Sequence, residues 1–570
     1  MAATITMTHH LPTQHALLTI VGAAFIVHFV FKRYEPQRVA THSLLLVAVP
    51  SFLSLLLLDH LPAIKALAVS FLTFWFTLLC SIAFYRLSSW HPLARYPGPL
   101  ILRLSKMPMA WVSRGGRRHI YTQELHRRYG DIVRVGPNEV SICNPAAIQP
   151  FMGTSGLHKG PQWEARTATQ SVHPLIAISD PKEHLRRRKP WNRALNVASL
   201  KDLEPLVANR AEQLVNLLAT SHSRSIAANG ATNLAKWFSW FAYDLMSDMA
   251  FGSGSEMLIN GDEGSVWPLL EVGLVNSDTF GHLPWLADYI RTFPTLGAKM
   301  KQMRSFCIQR AEERVRLGNV SRKDLFYYLN NEDGAEPSPP LPEVIADGTL
   351  AIIAGSDTTS SVLSSIFYCL LTHPEAYVRL RAEVDSYYPP GETALNTKHH
   401  ADMPYLNAVI NEAMRLFPPI SDGSQRVVPI GSGGKILEDS YFPEGTITTV
   451  HMYSIHRDGR NFSPLPDNFW PERWIHAATG DKNGIGMKLV HNTAAYFPFS
   501  FGPGNCAGKG LAMQELRMVV SAMIQRVDLT LAGDFDPNAY EDDMLNYFIL
   551  TRPPLPVVVR KRSTQYNLTY

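Results

Sequence analysis

Three apolar runs occupy the amino-terminal part of the chain, at 16–31, 43–58 and 66–85. An α-helix needs about 17 to 25 apolar residues to cross the hydrocarbon core of a bilayer, and each run reaches or approaches this length. No charged region precedes the first run, so a cleaved signal peptide is disfavoured. The pattern predicts a membrane anchor at 1–88 with up to three transmembrane helices. One span accompanied by two helices lying in the membrane interface remains the alternative.

Basic residues are distributed unevenly around these runs. Those of the first interval are Lys32, Arg33 and Arg38, the second interval contains only Lys65, and Arg86 and Arg95 follow the third run. Cytoplasmic loops carry an excess of Lys and Arg. The distribution therefore predicts a luminal amino terminus, a cytoplasmic first loop and a cytoplasmic domain at 89–570.

The pattern beyond residue 90 is mainly helical. The run 343–372 is apolar without an internal proline, which predicts a long buried helix. Apolar residues at helical spacing follow Cys506 as far as Arg526. Alternating segments on either side of a Gly-Pro-Asn turn, at 131–135 and 139–142, predict a β-hairpin. The predicted fold class is mainly α with small β-sheets, in one large domain without internal repeats.

Composition narrows the functional classes. The 570 residues carry a formal net charge of +4, and basic residues are not interleaved with aromatic ones, so nucleic-acid binding is not expected. The five cysteines show no CxxC spacing, which argues against an iron–sulfur cluster or a disulfide framework and indicates a reducing compartment. The sequence has no flavin or nicotinamide motif, so any electrons must come from a separate protein.

The segment 499–508 contains the most informative chemistry of the chain. It reads FSFGPGNCAG, and a predicted helix follows it. Its glycines and proline predict a tight loop whose backbone N–H groups surround the Cys506 sulfur, with a helix N-terminus behind it. Both features favour a thiolate, which is the form of cysteine that binds metal. The competing interpretation is a buried structural cysteine.

This segment resembles the signature of the cytochrome P-450 family. The resemblance implies that Cys506 is the axial thiolate ligand of a haem iron and that Phe499, Gly502 and Gly508 complete the signature. It also implies the family fold, with haem between a long central helix and the cysteine loop. The family usually has a basic residue two positions before the cysteine, whereas this chain has Gly504. We expect the remaining propionate donors to compensate.

Three further motifs extend the resemblance over about 95–560. In the central helix, Asp357 and Thr358 match the acid and alcohol that relay protons in the family, while Gly355 is expected to let a ligand approach the backbone. A hydroxyl that only bonds back to the preceding helical turn is the alternative for Thr358. Glu412 and Arg415 match the family's Glu-x-x-Arg pair, which Arg473 joins in a buried network beneath the haem.

The fourth motif concerns the haem propionates. The resemblance assigns His184 and Arg188, four positions apart on a predicted helix, as propionate donors, and Arg426 as a further donor. The run of basic residues from Arg186 to Lys189 can equally form a solvated face, which is our prediction for Arg186 and Arg187.

Substrate contacts are assigned by the same resemblance to mostly apolar segments, namely 171–178, the helix near Ala354, 420–424 and 547–550. They imply a lipophilic small molecule. A second apolar set is either a membrane-facing surface or ordinary core: Trp267, Phe280, Leu283, Trp285 and Leu286.

Together these features predict a membrane-bound haem-thiolate monooxygenase of the microsomal fungal type. It would use O2 and electrons delivered by an NADPH-dependent flavoprotein reductase, with Lys509, Arg517 and Arg193 as a basic docking face. The endoplasmic reticulum membrane is the expected location. Secondary metabolism is the expected setting and a terpenoid the first substrate expectation, ahead of a fatty acid or xenobiotic. A haem-thiolate isomerase or dehydratase, which typically lacks the Asp–Thr pair, and a non-enzymatic membrane haem binder are the alternatives.

Overall fold

The computed structural model describes residues 12–220, 230–252, 255–293, 295, 298–317, 323–480 and 488–562. Residues 1–11 of the predicted anchor and 563–570 of the predicted catalytic domain lie outside the described residues. The described chain is mostly helical, with small sheets, as predicted.

The amino-terminal part contains three long apolar helical segments. They comprise α1 (Thr13–Tyr34), a second segment Val39–Leu57 that includes α2 (Val39–Ser43) and α3 (Val49–Leu53), and α4 (Ala63–Leu87). All three are long and apolar enough to cross a membrane. Ala16, Ile20 and Ala24 of α1 pack against Leu57 and Phe74, so the segments form one helical bundle with its own apolar core.

The helices after the anchor are α5 (Leu100–Leu104), α6 (Met107–Arg114), α7 (Arg118–Tyr129), α8 (Ile148–Met152), α9 (Gln162–Arg166), α10 (Pro181–Ala194), α11 (Val197–Ala219), α12 (Leu234–Phe251), α13 (Met257–Asn260), α14 (Val266–Gly281), α15 (Leu286–Thr292), α16 (Ala298–Leu317), α17 (Leu325–Leu329), α18 (Leu341–Thr372), α19 (Pro374–Tyr387), α20 (Pro404–Leu416), α21 (Met452–His456), α22 (Glu472–Thr479), α23 (Lys509–Arg526) and α24 (Pro537–Asp542).

The predicted long buried helix is α18. It also meets the length and apolarity of a membrane span, but 72% of its most apolar window is buried in the protein, against 17 to 22% for the three anchor segments. It packs along α12 and also contacts α20 and α23. The main hydrophobic core lies around these four helices.

The strands are β1 (Ile132–Gly136), β2 (Glu139–Ile142), β3 (His158–Lys159), β4 (Thr232–Asn233), β5 (Arg426–Val427), β6 (Lys435–Leu437), β7 (Ser440–Phe442), β8 (Ile447–Val450), β9 (Phe462–Ser463), β10 (Val490–His491), β11 (Val527–Leu531), β12 (Asn546–Tyr547), β13 (Ile549–Leu550) and β14 (Pro556–Lys561). The largest sheet has the order β1-β2-β8-β5-β3. Its hairpin β1–β2 is the predicted one, and β2 pairs in parallel with β8.

The first loop of the anchor contacts the domain that follows. The backbone N–H of Val39 donates to Asp288 Oδ2 of α15 at 2.7 Å, and His42 Nδ1 lies 3.1 Å from the Tyr289 hydroxyl. Asn138, in the turn of the β1–β2 hairpin, donates to Glu35 Oε1 at 3.0 Å. The loop at 35–42 therefore lies against the domain at two separate places.

Candidate active site

The Cys506 loop is held by its backbone. The N–H of Cys506 donates to the Phe499 carbonyl at 2.9 Å, and the N–H of Asn505 donates to the Gly502 carbonyl at 3.0 Å. Gly502 has φ +66°, and a Cβ at this position would collide with the backbone of Met152 and Gly153, so only glycine fits. The helix α23 begins at Lys509, three residues after the cysteine, as predicted.

Two kinds of electrostatic effect act on the pKa of the Cys506 thiol in opposite directions. The side chain has accessible surface, yet the surrounding protein desolvates the sulfur, and this effect raises the pKa of the thiol. The backbone N–H of Gly508 and the charges of Arg188 and Lys509 act in the opposite direction. The loop thus supplies the N–H group, and Arg188 of α10 and Lys509 of α23 supply the positive charges, that favour a thiolate.

Basic side chains converge beside this loop. Arg188 donates to the backbone and side-chain oxygens of Asn505 at 2.7 and 2.9 Å, which places it next to Cys506. The pKa of the buried His184 falls to about 4 because of burial and because Lys159, Arg188 and Arg426 repel its charged form. Arg426 is buried, and no described residue forms a hydrogen bond with its Nε. The structure thus brings the three predicted propionate donors, His184, Arg188 and Arg426, close to one another. Lys159 joins them, and the sequence analysis missed it.

These four basic groups have no carboxylate partner within the described residues. Arg426 is buried and Arg188 and Lys159 are half-buried, and a positive charge withdrawn from water without an anion is costly. These three side chains therefore fit an anionic ligand, to which His184 can donate a hydrogen bond as a neutral imidazole.

The neighbouring Arg187 does have a carboxylate partner, and its side chain is not solvated, so our prediction for Arg187 was wrong. It is buried, and its Nη2 lies 2.8 Å from Asp347 Oδ2 of α18. Arg186 is exposed, as predicted, and pairs with Glu183 at 2.6 Å.

The predicted acid and alcohol lie in the middle of α18. Asp357 is buried and its Oδ1 accepts a hydrogen bond from Arg552 Nη2 at 2.9 Å, while its Oδ2 has no hydrogen-bond partner in the part of the chain that the structure describes. Burial raises the pKa of Asp357, and Arg552 opposes this shift. The Thr358 hydroxyl donates to the Ala354 carbonyl at 2.6 Å, which is the back-bonded geometry of the alternative interpretation.

The interpretation of Gly355 was wrong. We expected its missing Cβ to leave room for a ligand, but a Cβ there would meet the side chain of Met246 on α12. The glycine instead permits close packing of α12 against α18. This contact depends on the approach of two helices distant in sequence, which the local motif does not reveal.

Glu412, Arg415 and Arg473 form one buried cluster. Both Arg415 Nε and Nη2 lie 2.9 Å from the Glu412 carboxylate, and Arg473 Nε donates to the same carboxylate at 2.9 Å. Trp474 Nε1 adds a fourth bond at 2.9 Å. Burial would raise the pKa of Glu412, but the two arginines outweigh it and lower that pKa. The cluster ties α20 to α22 and to the segment before it.

The segments expected to contact substrate meet in one apolar cluster. Ile176, Ile420, Phe548 and Ile549, from three of the segments, pack with Ile353 of the central helix. Trp163 of α9 belongs to the same cluster and was missed, because it lies outside the segments that the resemblance indicated.

A cavity of about 120 Å³ adjoins the first of these segments. It lies between that segment, α16 and the start of α18, and its apolar lining includes Val172, Ile308 and Ile345. Arg304, half-buried at its edge, donates to the Ser171 hydroxyl at 3.0 Å.

The second apolar set was expected to form either a membrane-facing surface or ordinary core, and its two tryptophans differ in this respect. Trp267 faces inward, with the guanidinium of Arg552 4.4 Å from its ring centroid. Trp285 is 39% exposed and makes an edge-to-face contact with His42 of the anchor.

Of the residues expected to form a docking face for the reductase, Lys509 is exposed, whereas Arg193 pairs with Asp333 at 2.7 Å and is half-buried. Arg193 is therefore a weaker docking candidate than expected.

Comparisons with known proteins agree with these motifs. The sequence model of the family described as "Cytochrome P450" matches residues 97–559. The cytochrome P450 monooxygenase FCK2 of Fusarium pseudograminearum is 33% identical over 500 residues, which cover 85% of each chain. The protein named cytochrome P450 67 of Uromyces fabae is 31% identical over 567 residues, covering 95% of this chain and 99% of that one. The cytochrome P450 monooxygenase phqL of Penicillium fellutanum is 30% identical over 500 residues, covering 85% of this chain and 82% of that one.

Proposed function

The chain belongs to the cytochrome P450 family, and on this basis we propose that it is a membrane-bound haem-thiolate monooxygenase that hydroxylates or otherwise oxidises a lipophilic small molecule. Family membership makes it an oxidoreductase, and the family uses a haem with a cysteine thiolate ligand. The observation that carries the proposal is the Cys506 loop, which lies beside a set of basic side chains that have no carboxylate partner among the described residues.

The residues of this site fit a haem. Cys506 would supply the thiolate, and Phe499, Gly502 and Gly508 would shape the loop around it. His184, Arg188 and Arg426 would bind the propionates, since arginine remains charged when desolvated and binds a carboxylate through two hydrogen bonds. When bound, the haem would supply the iron at which O2 is activated.

Asp357 and Thr358 would move protons on the central helix. Arg552 binds Oδ1 of the Asp357 carboxylate, which leaves Oδ2 as the oxygen that would take up and pass on a proton. The Thr358 hydroxyl uses its own proton on Ala354, which leaves its oxygen lone pairs free to accept a hydrogen bond. Glu412, Arg415 and Arg473 would keep the segments beneath the haem in place.

The setting that we propose is the endoplasmic reticulum membrane, with the domain at 89–570 in the cytoplasm. Contacts of the 35–42 segment with Asp288 and Asn138 support this topology, because they put the interval that carries Lys32, Arg33 and Arg38 on the side of the domain. Electrons would come from an NADPH-dependent flavoprotein reductase, for which the exposed Lys509 is a docking candidate.

The substrate that we propose is lipophilic, in keeping with the apolar cluster around Ile353 and Phe548. A terpenoid in fungal secondary metabolism is the first candidate, followed by a fatty acid or a xenobiotic. The retained Asp357 and Thr358 favour oxidation by O2 over a haem-thiolate isomerisation or dehydration, which needs no such pair.

Isotope-labelled O2 tests this proposal. The full chain, expressed in a host that supplies reductase, should convert a lipophilic compound to a product that carries one labelled oxygen atom, and only when NADPH is present. Conversion that continues without NADPH and incorporates no label would show an isomerase or dehydratase instead. Protein that is folded but holds no haem would contradict both activities.

A further inference from the structure

The space beside Gly504, where the family usually has a basic side chain, is occupied by Arg426. A Cβ atom added to Gly504 would lie 3.2 Å from Arg426 Nη2, so the Arg426 guanidinium occupies the space into which a side chain at 504 would project. A longer basic side chain there would have to displace Arg426. Gly504 thus leaves room for the Arg426 guanidinium, but position 504 itself contributes no positive charge.

Lys159 is the basic residue that the sequence analysis did not identify. It lies on β3 directly opposite Arg426 on β5, where the two strands pair in antiparallel register. Residues directly opposite on paired strands point to the same face, with Cβ atoms about 4.5 to 5.5 Å apart. Two positive side chains thus lie side by side, an arrangement that destabilises a sheet unless an anion lies between them.

The protein itself does not provide that anion within the described residues. The Lys159 amino group donates to the Leu175 carbonyl at 3.0 Å, which is a neutral acceptor. Asp347 is the one carboxylate whose charge favours the protonated lysine, and it is already bound by Arg187 and by the backbone N–H of Leu175. Burial, followed by repulsion from Arg426 and Arg188, lowers the pKa of Lys159 to about 7.

We propose that Lys159 is an additional haem-propionate ligand, which supplies from the β3 strand the positive charge that Gly504 lacks. The inference rests on the proposed function. Lys159 and Arg426 would bind a carboxylate from the sheet, while His184 and Arg188 would approach from α10. A negatively charged propionate would relieve the repulsion between Lys159 and Arg426, so this pair would be stable only in the haem-bound protein.

The alternative role for Lys159 is to bind the Leu175 carbonyl and thereby to hold the loop between α9 and α10 in place. Two substitutions separate the roles. Lys159→Gln retains a hydrogen-bond donor for a neutral carbonyl but has no charge, whereas Lys159→Arg retains the charge. Lys182→Met is the matched control, because Lys182 is an exposed lysine on α10, the helix that carries His184 and Arg188.

The measurement is the rate at which ferric holoenzyme, as the detergent-solubilised full chain, transfers haem to an excess of apomyoglobin. We expect Lys159→Gln to release haem about tenfold faster than the wild type, the factor expected when a charge-assisted hydrogen bond is lost. Lys159→Arg and Lys182→Met should release haem at close to the wild-type rate.

Haem release at the wild-type rate from Lys159→Gln would overturn the inference and assign Lys159 to the loop. Equally fast release from Lys159→Gln and Lys159→Arg would also contradict it, because the charge would then be irrelevant. These outcomes leave the proposed function intact, since they require a wild-type protein that holds haem. Purified wild-type protein that never contains haem would instead contradict the proposed function.

Discussion

The two polar residues at the centre of α18 are the residues on which the proposed oxygen chemistry depends. Asp357 is bound by Arg552, and Thr358 is bonded back to Ala354. The back-bond of Thr358 was the alternative raised from the sequence, whereas the contact of Asp357 with Arg552 was not evident, because Arg552 lies far along the chain. Both residues are held in one orientation and have oxygen lone pairs left to accept a proton or hydrogen bond.

Substitution of Thr358 by alanine tests the role of the hydroxyl. Haem and substrate binding should be retained, while product formed per NADPH consumed should fall on the order of tenfold, with hydrogen peroxide released instead, because a proton-transfer group is lost. Ser364→Ala is the matched control, since Ser364 also lies on α18 and donates to the carbonyl four residues earlier, at 2.7 Å. Unchanged coupling in Thr358→Ala would assign the relay to other groups.

At the scale of elements, the Glu412 cluster joins α20 to α22. Arg473 contributes its side chain from α22, is fully buried and also donates to the carbonyls of Pro464 and Leu465 at 2.9 and 2.6 Å. Replacing Arg473 leaves Glu412 paired with Arg415, but it removes a charge-assisted hydrogen bond to that carboxylate and those to the two carbonyls. A hydrogen bond to a charged group contributes about 1.5 to 3 kcal/mol. Exposed pairs on the same helix contribute far less.

We therefore expect Arg473→Met to lower the free energy of unfolding by about 3 to 5 kcal/mol, because several charge-assisted hydrogen bonds are lost. The control is Arg379→Met, which removes a largely exposed pair with Glu472, also on α22, and should cost less than about 1 kcal/mol. Chemical denaturation of the detergent-solubilised protein measures both. Equal effects of the two substitutions would show that the buried cluster is not a special link between these helices.

Features specified by contiguous residues were predictable from the sequence. The hairpin β1–β2, the helix α18, the glycine-containing Cys506 loop and the Glu-x-x-Arg pair each depend on neighbours within a few positions. Features that depend on packing between distant segments were not. Met246 against Gly355 and Lys159 opposite Arg426 result from helix approach and strand register, which local periodicity does not encode.

At the scale of the whole molecule, the anchor and the domain share a contact surface. The loop at 35–42 contacts α15 through Asp288 and Tyr289, beside the exposed Trp285. Trp111 of α6 is 78% exposed and Phe293, which follows α15, is 47% exposed. Exposed aromatic residues of this kind suit a membrane interface. No local signal in the sequence predicted the contact with α15.

Deletion of residues 1–88 tests whether the anchor is the sole attachment. We expect the truncated protein to remain partly membrane-bound at high salt, because burial of a large apolar side chain contributes about 1.5 to 3 kcal/mol. Adding Trp111→Ser and Trp285→Ser to the truncated form should increase the soluble fraction. Fractionation of both forms gives the answer, and complete solubility of the truncated protein alone would show that these aromatic residues do not bind the bilayer.

The thiolate ligand is the central claim, and the spectrum of the reduced carbon monoxide complex tests it most directly. A thiolate opposite the gas gives a strongly red-shifted Soret band. The wild type and Cys80→Ser, which changes an exposed cysteine of the anchor, should both show this band, whereas Cys506→Ser should lose it. A red-shifted band that persists in Cys506→Ser would contradict the account, because another residue would then have to be the ligand.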